Sequence, residues 1–262
     1  MSFEFIAYET RDRVAYITIN RPDRLNAVHP PASVELRAAF TDFRDNPDAL
    51  VAVLTGAGVR AFCAGNDLKY QAEQGASGQP YPGADETPFG GITSDFTSWK
   101  PIIAAVNGYA MGGGLELVLA CDLAVASEGA VFGMPETRVG LVAAAGGVHR
   151  LPRQLPWKIA MGMLLAAKTI TAQEALRWGL VNEVVPQDQL ADAAQRLAGE
   201  IVKGAPLSVR ATKQMSTIGL DLPLDEAMSR SYDEYERAIA SEDFLEGPRA
   251  FAEKRPPRWK GR

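Results

Sequence analysis

Apolar positions along the chain fall into two rhythms. VAYITIN (14–20) alternates and is β-branched, which predicts a strand ending before Pro22. Ala32, Leu36, Ala39, Phe40 and Phe43 recur at helical spacing and predict an amphipathic helix over 32–45. VAVLTG (51–56), PIIAAVNG (101–108) and LAVAS (123–127) are short, nearly continuous apolar runs, the pattern of strands covered on both faces. Strands and helices therefore alternate through the first two thirds, an α/β arrangement. From residue 157 the helical rhythm takes over, with helices predicted at 157–166, 172–179, 187–203, 206–218 and 223–241. The shift divides the chain into a core, 1–190, and a helical C-terminal region, 191–262. QAEQGASGQPYPGADETPFGG (71–91) follows neither rhythm; a loop that long predicts a cover over a site.

One stretch runs against the pattern. AAVNGYAMGGGLELVLACD (104–122) sets three glycines in an apolar run, and Glu116 follows among Leu115, Leu117, Val118 and Leu119. Glycine in an element interior costs about 1 kcal/mol relative to alanine. A carboxylate in apolar surroundings must be paired or shift its pKa. Both liabilities make sense if a helix begins near Gly113. Its first-turn N–H groups are unpaired and carry the positive dipole end, so a developing negative charge could sit on them. Glu116, in that first turn, would lean back into the same space. Alone, the motif reads equally as a tight packing joint with a helix-capping glutamate. A second carboxylate, Glu136 in VFGMPETRVG, follows a proline 20 residues later. The pair suits acid–base chemistry α and β to a carbonyl. AFCAGNDL (61–68) adds a small-residue turn at Ala64-Gly65 where a ligand can approach the backbone.

Composition narrows the alternatives. The chain has 262 residues, 47% hydrophobic and 23% charged, enough to bury a core as one domain with an appendage. Two cysteines, Cys63 and Cys121, and two histidines, His29 and His149, support neither a disulfide framework nor a metal site, so none is expected. There is no G-x-S-x-G elbow for a serine hydrolase, which leaves acid–base work to carboxylates. VLTGAGVRAF offers Gly56, Gly58 and Ala61 after a strand, but no acidic residue closes a second strand as a dinucleotide site requires. A net charge of −5 argues against nucleic-acid binding. No apolar run approaches the roughly 20 residues of a membrane span, and no basic leader opens the chain, so a cytoplasmic location is expected. The end is different: RAFAEKRPPRWKGR (249–262) sets six basic residues against Glu253 alone, a solvated tail or an anion site.

Together with RPDRLNAV, KPIIAAVNGYAMGGGLELVLACDLAVAS, FGMPETRVGL, Gly146-Gly147, ITAQEALRWGLVNEVV and FAEKRPPRWKGR, these segments resemble the crotonase (enoyl-CoA hydratase/isomerase) superfamily over essentially the whole chain. The resemblance implies a spiral of ββα units with a helical C-terminal trimerisation region. It implies an enoyl-CoA hydratase whose catalytic pair is Glu116 and Glu136, with an oxyanion hole from the N–H groups of Asn66 and Gly113. It places the coenzyme A end of the substrate along Ala64, Asp67 and Leu68, its phosphates near Arg24 and Lys254, and calls for no separate cofactor. Tyr70, Tyr81, Phe89, Phe96, Trp99 and Leu141 are expected around the acyl end. It also implies a homotrimer or a dimer of trimers.

Two departures bear on the substrate. Many hydratases have a Pro-Gly pair after the second glutamate, where this chain reads LVAAA (141–145). FGGITSDFTSWKP and EGPRAFAEKRPPRWKGR look most like the carnitinyl-CoA dehydratase branch, which makes a crotonobetainyl-CoA hydratase the alternative. Aromatic rings of a lid would hold its quaternary ammonium. A Δ-isomerase working through Glu136 alone and a non-catalytic CoA-binding scaffold complete the alternatives. Retention of both glutamates and all three glycines argues against the scaffold.

Overall fold

A computed structural model describes residues 3–76 and 87–262, so Tyr81 lies outside the described residues. The chain opens with a hairpin of β1 (Ile6–Arg11) and β2 (Val14–Ile19), followed by α1 (Pro30–Asp45). Three pairs of strands come next: β3 (Val51–Gly56) with β4 (Ala61–Cys63), β5 (Ile102–Val106) with β6 (Tyr109–Met111), and β7 (Leu123–Ser127) with β8 (Val131–Gly133). Helix α2 (Leu68–Ala76) follows β4 and α3 (Gly113–Ala120) follows β6. In each pair the first strand joins a six-stranded sheet, order β1-β2-β3-β5-β7-β10, and the second joins a four-stranded sheet, order β4-β6-β8-β9. The repeat is the expected spiral of ββα units.

Helices α4 (Gly147–Gln154) and α5 (Trp157–Ala166), strand β9 (Thr169–Thr171), helix α6 (Ala172–Arg177) and strand β10 (Glu183–Val185) complete the core. A helical region follows: α7 (Leu190–Val202), α8 (Pro206–Gly219), α9 (Leu224–Ser229), α10 (Asp233–Ile239) and α11 (Glu242–Ala252).

The apolar runs are continuous because the large sheet is covered twice. Ala52, Leu54, Ile102 and Ala104 face the core shared with Leu36 and Phe40 of α1 and Leu115 and Leu117 of α3. The alternate residues Val51, Val53, Ile103 and Ala105 face Leu190, Ala193, Ala194 and Ala198 of α7. Thus α7, just beyond the division at 190, is the second cover of the sheet.

Two buried amides tie successive turns together. Asn26 Nδ2 donates to the carbonyls of Ala57 and Ala61, and Asn107 Nδ2 donates to those of Gly56 and Gly58. They fix where the short strands of the small sheet begin.

The structure corrects two elements. The segment predicted as one helix over 223–241 is split, because Arg230 is extended (φ −71°, ψ 142°) and Tyr232 folds back to donate its hydroxyl proton to the Ala227 carbonyl. The loop expected from Gln71 begins later, since α2 runs on to Ala76.

Candidate active site

Strands β4, β6 and β8 are mutually parallel, so all three end at one edge of the small sheet. Their successors are Ala64–Asp67 after β4, Gly112–Glu116 after β6 and Met134–Glu136 after β8. Carboxyl ends of parallel strands are where open α/β sheets present ligand-binding loops. The residues singled out from sequence are therefore gathered by topology.

Each of the three glycines answers a different contact. Gly112 has φ +54°, and a Cβ on it would lie 2.9 Å from Glu136 Oε1. A Cβ on Gly113 would meet the Phe89 ring at 2.5 Å, and one on Gly114 would meet the Cys63 carbonyl oxygen at 1.9 Å. The run lets the start of α3 press against β4, Phe89 and the second glutamate at once. Gly65 continues the same joint, with its missing Cβ 3.1 Å from Gly113 N. The backbone leading to Asn66 thus runs beside the first N–H of α3, which no helical carbonyl can reach.

Glu116 is 4% exposed, and its Oε1 accepts a 2.8 Å hydrogen bond from Gly147 N at the start of α4. Burial pushes its carboxyl up to about 7, opposed by the Gly147 bond and reinforced by the charge of Glu136. Glu136 opens a short 3-10 turn, Glu136–Val139, and burial raises its pKa too. Its Oε2 is sealed from solvent with no partner among the described residues. One buried carboxyl, raised to about 7, and one half-buried carboxyl, also raised, stand at the same site, the arrangement of an acid–base pair.

A cavity of about 370 Å³ brings together Ala64, Asn66, Leu68, Phe89, Gly113, Glu116, Glu136 and Leu141. Other expected site residues sit elsewhere. Asp67 is buried in a 2.9 Å ion pair with Arg21 and accepts from Tyr70 N, bonds that outweigh burial and hold its carboxyl below the usual range. Tyr70 stands edge-on to His29, with ring centroids 5.1 Å apart. Arg24 is exposed on a 3-10 turn. Lys254 follows α11, exposed, with φ +53°.

Trp99 and Phe96 line a separate cavity of about 950 Å³, not the one that holds the glutamates. The reason is local: Phe96 packs at 5.9 Å on Phe40 of α1, which draws the segment before β5 away from the small sheet's edge.

The sequence reading missed three contributors. Gly147 belongs to a recognised glycine pair, yet its N–H role toward Glu116 depends on a contact 31 residues away in sequence. Gln71 receives the Asn66 side-chain amide at 2.7 Å. His29, beside two prolines, reads as a turn residue but lines the cavity.

Comparisons with known proteins agree with this geometry. Residues 9–262 match the family model described as enoyl-CoA hydratase/isomerase. A carnitinyl-CoA dehydratase from Proteus mirabilis (strain HI4320) is 47% identical over 259 residues, covering 97% of each chain. One from Citrobacter koseri is 44% identical over 265 residues, 99% of each. Among solved structures, an enoyl-CoA hydratase from Mycobacterium marinum superposes with a TM-score of 0.91 at 40% identity, covering 98% of this chain and 99% of its own. The enoyl-CoA hydratase from Mycobacterium tuberculosis H37Rv gives 0.90 at 39%, covering 98% and 99%. With its spiral of strand pairs, two glutamates around one cavity and a family match over nearly its full length, this chain belongs to the enoyl-CoA hydratase/isomerase family.

Proposed function

We propose that the chain adds water reversibly across the 2,3 double bond of an enoyl-CoA thioester. The observation that carries this reading is the placement of Glu116 and Glu136, both with raised pKa, around one cavity at the start of α3. The thioester oxygen would accept the N–H groups of Asn66 and Gly113. As one ionised glutamate takes a proton from water, the hydroxyl bonds to Cβ and the double-bond electrons move onto the thioester oxygen. The resulting enolate then takes a proton at Cα from the neutral partner carboxyl. The two N–H donors face the charge that develops, which is where such donors lower a barrier. Coenzyme A is part of the substrate, and the steps use only protons and backbone donors, so no cofactor is called for. Incubation with crotonyl-CoA should bleach the conjugated thioester absorbance and yield 3-hydroxybutyryl-CoA. Double-bond migration without hydration would instead support the isomerase reading.

A second reading is favoured by the relatives named as carnitinyl-CoA dehydratases. Here crotonobetainyl-CoA is the substrate, and Phe89 is the aromatic face that lines the cavity beside the reacting groups. The test is kcat/KM for crotonobetainyl-CoA against crotonyl-CoA. A preference for the betaine that collapses in Phe89→Leu supports this reading; a parent preference for crotonyl-CoA rejects it.

We further propose a homotrimer or dimer of trimers in the cytoplasm. Support comes from Leu220, Leu224, Met228, Leu245 and Phe251, large apolar side chains exposed in the C-terminal region. No helix among the described residues is long and apolar enough to cross a membrane.

A further inference from the structure

His29 is the one imidazole in the cavity wall, and the reaction proposed above gives it no part. It caps the start of α1 with its backbone, while its side chain makes no capping hydrogen bond. Only 5% exposed, it lines the same cavity as the two glutamates, and its Nδ1 is sealed with no partner among the described residues. An unpaired buried polar atom is expensive, and native structures rarely leave one without a reason. Its neighbours offer nothing in return. Phe5 and Tyr70 stand edge-on to the ring at 4.5 and 5.1 Å. Arg21, Asp67 and Glu35 supply the nearby charge, and burial, with Arg21, keeps the imidazole pKa below its ordinary value. The ring is therefore neutral near pH 7, with one N–H and one lone pair. Rotation about Cβ–Cγ has two broad wells, so either nitrogen-bearing edge can turn toward an occupant without changing the ring's volume.

We propose that His29 is a substrate-binding residue whose neutral imidazole hydrogen-bonds an uncharged polar group of the bound thioester. This inference rests on the reading of the cavity as an acyl-CoA site. Its wall supports the assignment: Ser33, one turn along α1, lines the same cavity and accepts from Gly90 N, next to Phe89. The polar group has two possible sources, an amide of the pantetheine arm or a hydroxyl on the acyl chain.

Calorimetric binding separates them without relying on turnover. The ligands are butyryl-CoA, 4-hydroxybutyryl-CoA and the butyryl thioester of N-acetylcysteamine. The proteins are the parent, His29→Phe, which keeps the ring volume, and His29→Asn, which returns a polar atom near Nδ1. A neutral hydrogen bond is worth a factor of about 3 to 10 in affinity. If the acyl hydroxyl is the partner, His29→Phe weakens 4-hydroxybutyryl-CoA by that factor and spares butyryl-CoA. If a pantetheine amide is the partner, both CoA thioesters weaken equally. In either case His29→Asn recovers most of the loss. Unchanged affinities in His29→Phe, or equal losses in Phe and Asn, overturn the proposal and leave the ring a packing role. Parent hydration of crotonyl-CoA, measured alongside, judges the hydratase reading independently.

Discussion

Two regions of the molecule handle carboxylates in opposite ways. Around α3, Glu116 is buried and Glu136 half-buried at one cavity, and neither forms a salt bridge among the described residues; both pKa values rise. At the C-terminus, Glu246 meets Arg255 at 2.6 Å and accepts from Arg258 N, and its pKa falls to about 2. Glu242 is likewise paired with Lys260 and Arg262. The tail uses its acids as fasteners, holding basic residues against α11. No lysine or arginine among the described residues lines the cavity, so burial dominates there and raises both acids, Glu116 to about 7. Three of the six tail cations that the sequence offers as an anion site, Arg255, Lys260 and Arg262, are thus spent on intramolecular pairs.

Breaking the cavity pair should have the largest effect. Glu116→Gln and Glu136→Gln should each lower kcat for hydration by about 10²–10⁴-fold, the usual weight of general acid–base catalysis. Circular dichroism and CoA affinity should stay near parental. If Glu116→Gln hydrates normally, its raised pKa is an incidental result of burial and the contrast loses its functional meaning.

Next comes the donor at the start of α3. Gly113→Pro removes an N–H, and one lost oxyanion donor costs roughly 3–4 kcal/mol of transition-state stabilisation. The Phe89 ring occupies the position of any Cβ there, so loss of activity in one variant is ambiguous. Gly113→Ala meets the same ring but keeps its N–H. The expected result is a proline variant about 10²-fold slower than the alanine one. Equal impairment would assign the loss to displacement of Phe89.

These tests also show how much was readable beforehand. Long, strongly patterned elements were legible: β3 at 51–56, β7 at 123–127 and α5 at 157–166 carry their periodicity on their face. Strands β4, β6, β8 and β9 were not, because three residues hold no period. Yet those strands gather the site. The residues themselves pointed to Glu116, Glu136 and a helix start at Gly113, the resemblance added Asn66, and the structure supplies the reason they meet. Why each glycine is needed was illegible, since the answers lie in Phe89, Cys63 and Glu136, distant in sequence. Trp99 misled because an aromatic near a site in sequence can turn to another cavity.

The cavity pair should also leave a mark on stability. The folded-state pKa of Glu116, about 7, lies above its ordinary value of 4.5. Stability contributed by the neutral carboxyl is full below pH 4.5 and is lost as pH rises through about 7. Glu116→Gln stays neutral and still accepts from Gly147 N, so it escapes that loss. Urea unfolding should show the variant gaining on the parent between pH 5 and 8, by up to about 3 kcal/mol. A constant difference across that range would mean that Glu116 titrates normally. Glu246, with its lowered pKa, should behave in the opposite sense: the stability it provides is lost as pH falls toward 2.

The smallest effect belongs to the tail, where three of the six cations, Arg249, Lys254 and Arg258, stand outside the ion pairs formed among the described residues. Arg255, Lys260 and Arg262 are held by Glu246, Glu253 and Glu242, while Lys254 forms no ion pair among the described residues. If Lys254 meets a phosphate of coenzyme A, an exposed charge pair of this kind is worth a few tenths to 1 kcal/mol. Lys254→Ala should therefore weaken CoA about two- to fivefold at low salt, and the difference should fade at high salt as screening grows. A pantetheine thioester without the nucleotide should bind both proteins alike. Arg255→Gln should show the reverse profile, with CoA affinity kept and the tail loosened, read as faster amide exchange over 253–262. Equal weakening of both ligands by Lys254→Ala would give it a packing role and leave Arg249 and Arg258 as the tail cations outside the ion pairs.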